Sequence, residues 1–342
     1  MAGAIAQPAV SEAAIFRLSG VSYQYAPGIV ALRDVSFRID AGERVALLGA
    51  NGTGKSTLLK IMAGLVEPSG GEILAFGEPL TAARLRDEAV AHAFRRRVGI
   101  VFQSSDAQLF SPTVREEVAF GPLHLRLSPD EVLRRVDDTL RMLGLVELAE
   151  RAPYNLSGGE KKKVALASVL SINPDVLMLD EPTNGLDPRT QQWLIELLAA
   201  LHGVGKTIIV ATHHLDTLDL IADRAIVLGE EHGVVAEGAV AALLAQHDLL
   251  LRVNLIHEHA HRHGSLVHTH PHAHEGEHEH AHEGEHDYAH ESGQEHEPAP
   301  ESGQRHEPDG TAAPAPADAS GRGRDAGRTV GAPDDPSRNV GV

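Results

Sequence analysis

The sequence predicts an α/β fold, a parallel sheet flanked by helices with a mainly helical insertion, followed by a disordered, His-rich acidic tail. Three observations predict it: a glycine-rich turn between a strand and a helix at Gly49, two short and nearly continuous apolar runs at Val176 and Thr207, and an abrupt change of composition at His257. From His257 to Val342 there are 17 Asp plus Glu against 6 Arg and no Lys, and 15 of the 22 His of the chain. That segment carries −11 of the net charge of −18. With almost no large apolar side chains it cannot offset the entropy of ordering a core, so disorder is expected over 257–342. Residues 1–13 are expected to be a flexible extension and 14–250 the folded domain.

What is missing narrows the function. There is no cysteine, which excludes disulfides, iron–sulfur clusters and thiolate zinc sites. No apolar run reaches the 18 or so residues of a spanning helix. Met1–Ala14 has neither the basic start nor the apolar run of a signal peptide, so a cytoplasmic chain is expected. An acidic chain without a basic run makes nucleic acid an improbable partner.

Taken in order, Ile15–Leu18, Val35–Ile39 and Arg44–Leu48 read as strands, short and rich in β-branched residues. After the turn at Gly49, Lys55–Gly64 places Leu58, Leu59, Ile61 and Met62 at helical spacing, and Gly64 sits where a helix stops. Ser128-Pro129-Asp130-Glu131 starts a second helix, with Ser as cap, Pro in the first turn and Glu closing a capping box. Val132, Leu133, Val136, Leu140 and Leu143 form its apolar stripe, and Ser111–Leu156 reads as the helical insertion. A third helix runs from Lys161 to Ser171. Asp175–Leu179 and Thr207–Ala211 read as strands buried on both faces, as parallel sheets require, with a helix over Pro188–Leu201 between them.

Gly49-Ala50-Asn51-Gly52-Thr53-Gly54-Lys55-Ser56-Thr57 matches the phosphate-loop pattern in its required strand-to-helix context. The glycines let backbone N–H groups turn toward phosphates, Lys55 reaches the terminal phosphates and Ser56 is suited to hold Mg²⁺. Asp180 and Glu181 end an apolar strand, where buried carboxylates need a cation or a proton. Asp180 is therefore the expected Mg²⁺ residue, and Glu181 the acceptor of a proton from attacking water. The alternative is a solvated acidic pair at a strand end. Leu156-Ser157-Gly158-Gly159-Glu160 opens a helix and forms a second anion-binding start. Two such sites in one chain suggest a head-to-tail dimer with ATP sandwiched between copies.

With these motifs in hand, the chain resembles the nucleotide-binding subunit of ATP-binding cassette (ABC) transporters over about 15–250. The loop at Gly49, the LSGGE signature, Asp180-Glu181 and Asn184-Gly185-Leu186-Asp187 stand in the family's order and spacing. The resemblance implies a phosphate-loop ATPase core, an antiparallel β subdomain and a helical subdomain over about 104–159. It also implies roles for single residues: Tyr25 stacking on adenine, Gln103 touching Mg²⁺ and the membrane partner, His213 at the γ-phosphate, Asp187 in the D-loop, and Ser157, Gly158, Gly159 and Glu160 acting across the dimer. Each single residue has a plainer reading: Tyr25 as a strand-edge aromatic, Gln103 as a loop amide, His213 as a satisfied histidine. Two positions depart from the family's pattern. His214 stands where Asp is common, and Lys163 where Arg is common.

Val101–Val114 and Ala119-Phe120-Gly121-Pro122, with LSGGEKKKVALA, resemble the energy-coupling-factor importers, their cobalt and nickel members in particular. That resemblance implies an integral membrane T-component and a substrate-binding membrane subunit as partners, beside a second copy or a paralogous ATPase. It places the chain as a peripheral protein on the cytoplasmic face of a bacterial-type membrane. The tail presents His257, His259, His261 and His263, then His268, His270, His272 and His274, then His278, His280, His282 and His286. Neutral imidazoles suit Ni²⁺, Co²⁺ and Zn²⁺; the plainer reading is a solvated low-complexity tail. The expected function is ATP hydrolysis driving nickel or cobalt import. A soluble metal-delivery NTPase and a vitamin importer's ATPase are the alternatives.

Overall fold

The computed structural model describes residues 14–263 and 266–273. The chain divides into two units, 1–279 and 280–342, and the described residues belong to the first; residues 1–13 lie outside them. Strands are β1 (Ala14–Ala26), β2 (Ile29–Asp40), β3 (Arg44–Leu48), β4 (Gly70–Ala75), β5 (Glu78–Pro79), β6 (Val98–Val101), β7 (Val176–Asp180), β8 (Thr207–Thr212), β9 (Arg224–Leu228), β10 (Val234–Ala239), β11 (Ile256–His263) and β12 (Leu266–Ala273). Helices are α1 (Lys55–Met62), α2 (Ala82–Leu85), α3 (Glu88–Arg97), α4 (Ser105–Gln108), α5 (Val114–His124), α6 (Pro129–Met142), α7 (Gly158–Leu170), α8 (Pro188–Gly203), α9 (Leu218–Ile221), α10 (Val240–Leu244) and α11 (His247–Arg252).

The six-stranded sheet has the order β10-β9-β3-β8-β7-β6, parallel throughout except for β10 at one edge. Its central strands β7 and β8 are buried at every position, which is why their sequences are apolar without alternation. Successive side chains still point to opposite faces. Ala46, Leu48, Leu177, Leu179, Ile208, Val210, Ala225 and Val227 join one core with α5, α6, α7 and α8. Their neighbours Val45, Leu47, Val176, Met178, Ile209, Ala211, Ile226 and Leu228 join the other, with α1 and the four-stranded antiparallel sheet β2-β1-β4-β5. α1 thus lies between the two sheets, carrying Leu58, Leu59, Ile61 and Met62 into that second core.

The helical insertion is present as α4, α5, α6 and two short 3₁₀ turns at Val146–Leu148 and Pro153–Asn155, ahead of α7. Ser128 caps α6, its hydroxyl accepting the Glu131 N–H at 3.4 Å. The expected return bond from the Glu131 carboxylate is not made; Arg134 and Arg135 donate to it at 2.7 and 2.6 Å instead, charge-assisted bonds stronger than one to a neutral amide. Leu140 is 1% exposed and holds α6 to the rest of the insertion's core. Leu140→Ala is expected to cost about 2–5 kcal/mol, measured as a lowered urea midpoint with an unchanged slope.

His257–Ala273 departs from the tail expected to be disordered. β11 and β12 form an antiparallel hairpin with His257 opposite His272, His259 opposite His270 and His261 opposite His268. The cause is in the sequence: histidine at every second position is also the period of a strand, which composition alone does not register. Of the proposed tail ligands, His274, His278, His280, His282 and His286 lie outside the described residues. No helix among the described residues is long and apolar enough to cross a membrane.

Candidate functional site

Parallel strands bring their C-terminal ends to one edge of a sheet, where ligands of open α/β folds bind. Here that edge gathers the loop after β3, the carboxylates after β7, the histidines after β8 and Gln103 after β6. Leu48 pairs with Thr212, Asp180 with Ala211 and Leu179 with Val101.

The loop from Gly49 to Gly54 enters α1 through Gly54, the N-cap, at φ +104°. A β-carbon there would stand 2.2 Å from the Ala31 carbonyl oxygen and 2.8 Å from Leu32 Cδ2, so β2 seats the loop only if this position is glycine. Lys55 is 5% exposed. Its ammonium donates to the carbonyls of Gly49 at 2.8 Å and Ala50 at 3.1 Å and lies 3.5 Å from Glu181 Oε1. Burial lowers its pKa, against the pull of Glu181 and Asp180.

Asp180 is the last residue of β7 and shares the parity of Val176 and Met178, which face α1. Burial raises its pKa, while a hydrogen bond from Ser56 opposes the rise. Glu181 leaves the strand in the left-handed region, φ +43°, and its N–H bonds the Ala211 carbonyl at 2.9 Å. This non-glycine residue is held in a strained conformation of the kind found at functional sites. Its Oε1 meets His213 Nδ1 at 2.8 Å. Asp180 Oδ1 and Glu181 Oε2 are buried without a hydrogen-bond partner. The orphaned Asp180 oxygen, on the carboxylate that Ser56 meets, fits a cation, and oxygen is the donor Mg²⁺ prefers; Ser56 and Asp180 are the residues suited to hold it.

The remaining sequence candidates are spread along the same edge and onto the neighbouring surface. Tyr25 lies in the exposed last residues of β1, with its hydroxyl 2.8 Å from Thr57 Oγ1 and its ring edge-on to Tyr23 at 5.0 Å between centroids. Gln103 is exposed beyond β6 and makes no hydrogen bond among the described residues; the neighbouring amide Gln108 instead accepts the Phe102 N–H at 3.0 Å. Ser157 caps α7 in a reciprocal capping box, its N–H and hydroxyl donating to Glu160 Oε2 at 2.8 and 2.7 Å. Those bonds hold the Glu160 carboxyl below its usual range. Gly158 has open space where a side chain would stand. Asp187 caps α8, accepting from Arg189 and Thr190 N–H groups at 3.0 and 3.1 Å and from the Thr190 hydroxyl at 2.6 Å.

Lys162, which motif reading passed over, and His214, noted above as a departure from the family's pattern, also stand at this edge. Lys162 is 3% exposed, with its ammonium 3.4 Å from the Phe102 carbonyl; burial lowers its pKa against the attraction of Asp180 and Glu181. Its position was available from spacing, since Lys162, Ala165, Leu166 and Val169 share one helical face. His214 stacks near His213, with ring centroids 4.1 Å apart, and is half-buried with its pKa lowered by desolvation first and by His213 second.

A phosphate loop, a strand-end carboxylate pair and a second loop-capped helix together define a nucleotide-hydrolysing cassette. The ABC transporter family model matches residues 32–184. A putative ABC transporter ATP-binding protein of Methanosarcina acetivorans is 53% identical over 253 residues, 73% of this chain and 92% of the relative. The nickel import ATP-binding protein NikO of Rhodobacter capsulatus is 49% identical, over 70% of this chain and 95% of its own. Among solved structures, cbiO1 of Clostridium perfringens, part of the ABC transporter complex cbiONQ, has a TM-score of 0.61 at 38% identity, covering 71% of this chain and 95% of its own. The dimeric ATP-binding cassette MJ0796, in a post-hydrolysis state with ADP and Pi, has a TM-score of 0.60 at 31% identity, covering 66% and 98%. The chain belongs to the ABC transporter ATP-binding family and is an ATPase of the importer type.

Proposed function

We propose that the chain is the ATP-hydrolysing subunit of an energy-coupling-factor importer for nickel or cobalt ions. Two copies, or one copy and a paralogue, enclose ATP between them. The observation that carries the ATPase chemistry is the convergence of Lys55, Glu181 and His213 at one strand edge, beside two buried carboxylate oxygens without partners. The backbone amides of Gly49–Thr57 and the Lys55 ammonium bind the phosphates, with Lys55 exchanging its present carbonyl partners for phosphate oxygens. Glu181 Oε2 accepts the proton of the attacking water. His213 holds the carboxylate in that orientation through the 2.8 Å bond to Oε1 and reaches the γ-phosphate. Ser56, Asp180 and Gln103 would hold Mg²⁺, which would neutralise charge on the phosphates. Ser157, Gly158, Gly159 and Glu160 serve the partner's nucleotide, a role that suits the open surface at Gly158, and Asp187 orders the D-loop at the dimer seam.

Tyr25 is the adenine platform in this reading. Tyr25→Ala is expected to weaken ATP binding about tenfold, the lower end of the stacking energies known for bases on aromatics. Tyr25→Phe, which loses only the Thr57 bond, should bind nearly as well. Equal affinity of the alanine variant in a fluorescent-nucleotide titration would return Tyr25 to a strand-edge aromatic.

The metal assignment is supported by the nickel import relative and by the alternating histidines that begin at His257. The membrane partners are a T-component and a substrate-binding subunit. Purifying the chain from membranes in mild detergent and identifying what accompanies it tests both. Recovery of membrane subunits whose reconstituted vesicles take up Ni²⁺ or Co²⁺ on ATP addition supports the reading, whereas vitamin uptake or a chain recovered alone overturns it. Deletion of 257–342 is expected to leave the ATPase rate within about twofold and to lower bound Ni²⁺ or Co²⁺ per chain, read by calorimetry, because the deletion removes imidazole ligands but none of the strand-edge residues.

A further inference from the structure

We propose that Glu181, His213 and His214 form a second, inhibitory metal site that binds a borderline transition-metal ion in the nucleotide-free subunit and must release it before ATP is hydrolysed. One ligand atom of each residue lies within 4.8 Å of the other two. Two polar atoms of this trio, Glu181 Oε2 and His214 Nε2, are buried without a hydrogen-bond partner, and Glu181 is 4% exposed. A cation held by the trio would give these residues the partner that the protein itself does not supply. Donor atoms around a tetrahedral ion with bonds of about 2.0–2.2 Å stand roughly 3.3 Å apart, so modest rotation of the two rings closes the set.

The donor chemistry selects the ion class. Two imidazoles and one carboxylate are the ligand set of open zinc-type sites and suit Co²⁺, Ni²⁺ and Zn²⁺, whereas Mg²⁺ prefers oxygen alone. The site is therefore distinct from the Mg²⁺ position at Ser56 and Asp180. The opposing cost is also visible, because the Lys55 ammonium lies 3.5 Å from Glu181 Oε1. In that same position it also donates to the Gly49 and Ala50 carbonyls, so the carboxylate is not its sole partner.

Binding at this site needs only the geometry above. Inhibition rests in addition on the proposed role of Glu181, since a carboxylate engaged with a metal ion cannot take a proton from water. The consequence is an ATPase that slows as free transition-metal ion rises, and a metal site that MgATP empties.

The test uses full-length protein, so that the histidine-rich segment is present in every sample and cancels in the difference. Co²⁺ is titrated into wild type and His214→Asn, followed by its d–d absorption, without nucleotide and then with saturating MgATP. Wild type is expected to bind one more ion per chain than the variant and to release one more on MgATP addition, any ion that ATP strips from the histidine-rich segment being common to both. The concentration of Co²⁺ that halves ATPase activity should rise at least tenfold in His214→Asn. Equal Co²⁺ stoichiometry in the two proteins, or equal release by MgATP, overturns the site. Should His214→Asn fail to fold, Glu181→Gln decides by its nucleotide-free stoichiometry alone, where loss of one ion supports the site and no loss overturns it. That readout is independent of whether Glu181 is the catalytic base.

Discussion

Glu181→Gln should bind ATP as wild type does, lose turnover by about 10²–10⁴-fold and accumulate as an ATP-enclosing dimer. The range is what a positioned general base contributes. Glutamine preserves the shape of the side chain and an oxygen for His213 at the position of Oε1, 2.8 Å from Nδ1 in the present structure. What it loses is the basicity of Oε2, the oxygen buried without a partner. The substitution also removes the negative charge 3.5 Å from the Lys55 ammonium, so the lysine is freer to meet phosphate and affinity should not fall. Single-turnover hydrolysis, nucleotide binding and small-angle scattering of the ATP-loaded variant check the three parts. Normal turnover would remove Glu181 from the base role, and a solitary ATP-loaded subunit would remove the shared site.

Gly54→Ala should abolish measurable ATP binding and lower stability by roughly 3 kcal/mol. A non-glycine residue at φ +104° costs about 1–3 kcal/mol by itself. The new methyl group also meets the Ala31 carbonyl at 2.2 Å, and that obstacle is backbone in a paired strand, which cannot rotate away as a side chain would. Either the loop shifts off β2 or β2 leaves its register, and both displace Lys55. For a domain of this size the melting temperature should fall by roughly 6–12 °C. An alanine variant with native melting and native affinity would show that the loop is not seated on β2 as described.

Much of this was legible before any coordinates. The glycine-rich strand-to-helix turn, the Ser128 cap and the doubly buried β7 and β8 depend on residues close in the chain and are readable from spacing and residue type, whereas Ser157 reads as part of an anion-binding start and not as the cap it is. The strand over Ala14–Ala26 was read only as far as Leu18, because its outer half alternates irregularly through bulges where it pairs with β2. The expected capping box at Glu131 was a local inference defeated by local competition from two arginines. The hairpin from Ile256 to Ala273 was hidden by the opposite error, in which a polar composition outweighed a strand-like period.

By itself, the amino-acid order determined which segments could hold phosphate, which could cross a buried sheet and which residues could carry charge there, since backbone preferences and side-chain alternation are set within a few residues. Only the tertiary structure decided that Lys55, Glu181, His213 and His214 come together and that the Lys162 ammonium meets the Phe102 carbonyl. Sheet order does not follow chain order: β8 inserts between β3 and β7, and β6 pairs beyond β7. The distance between groups far apart in the chain is fixed by that crossing of strands and by the two cores that hold it, a balance of burial spread over the whole domain.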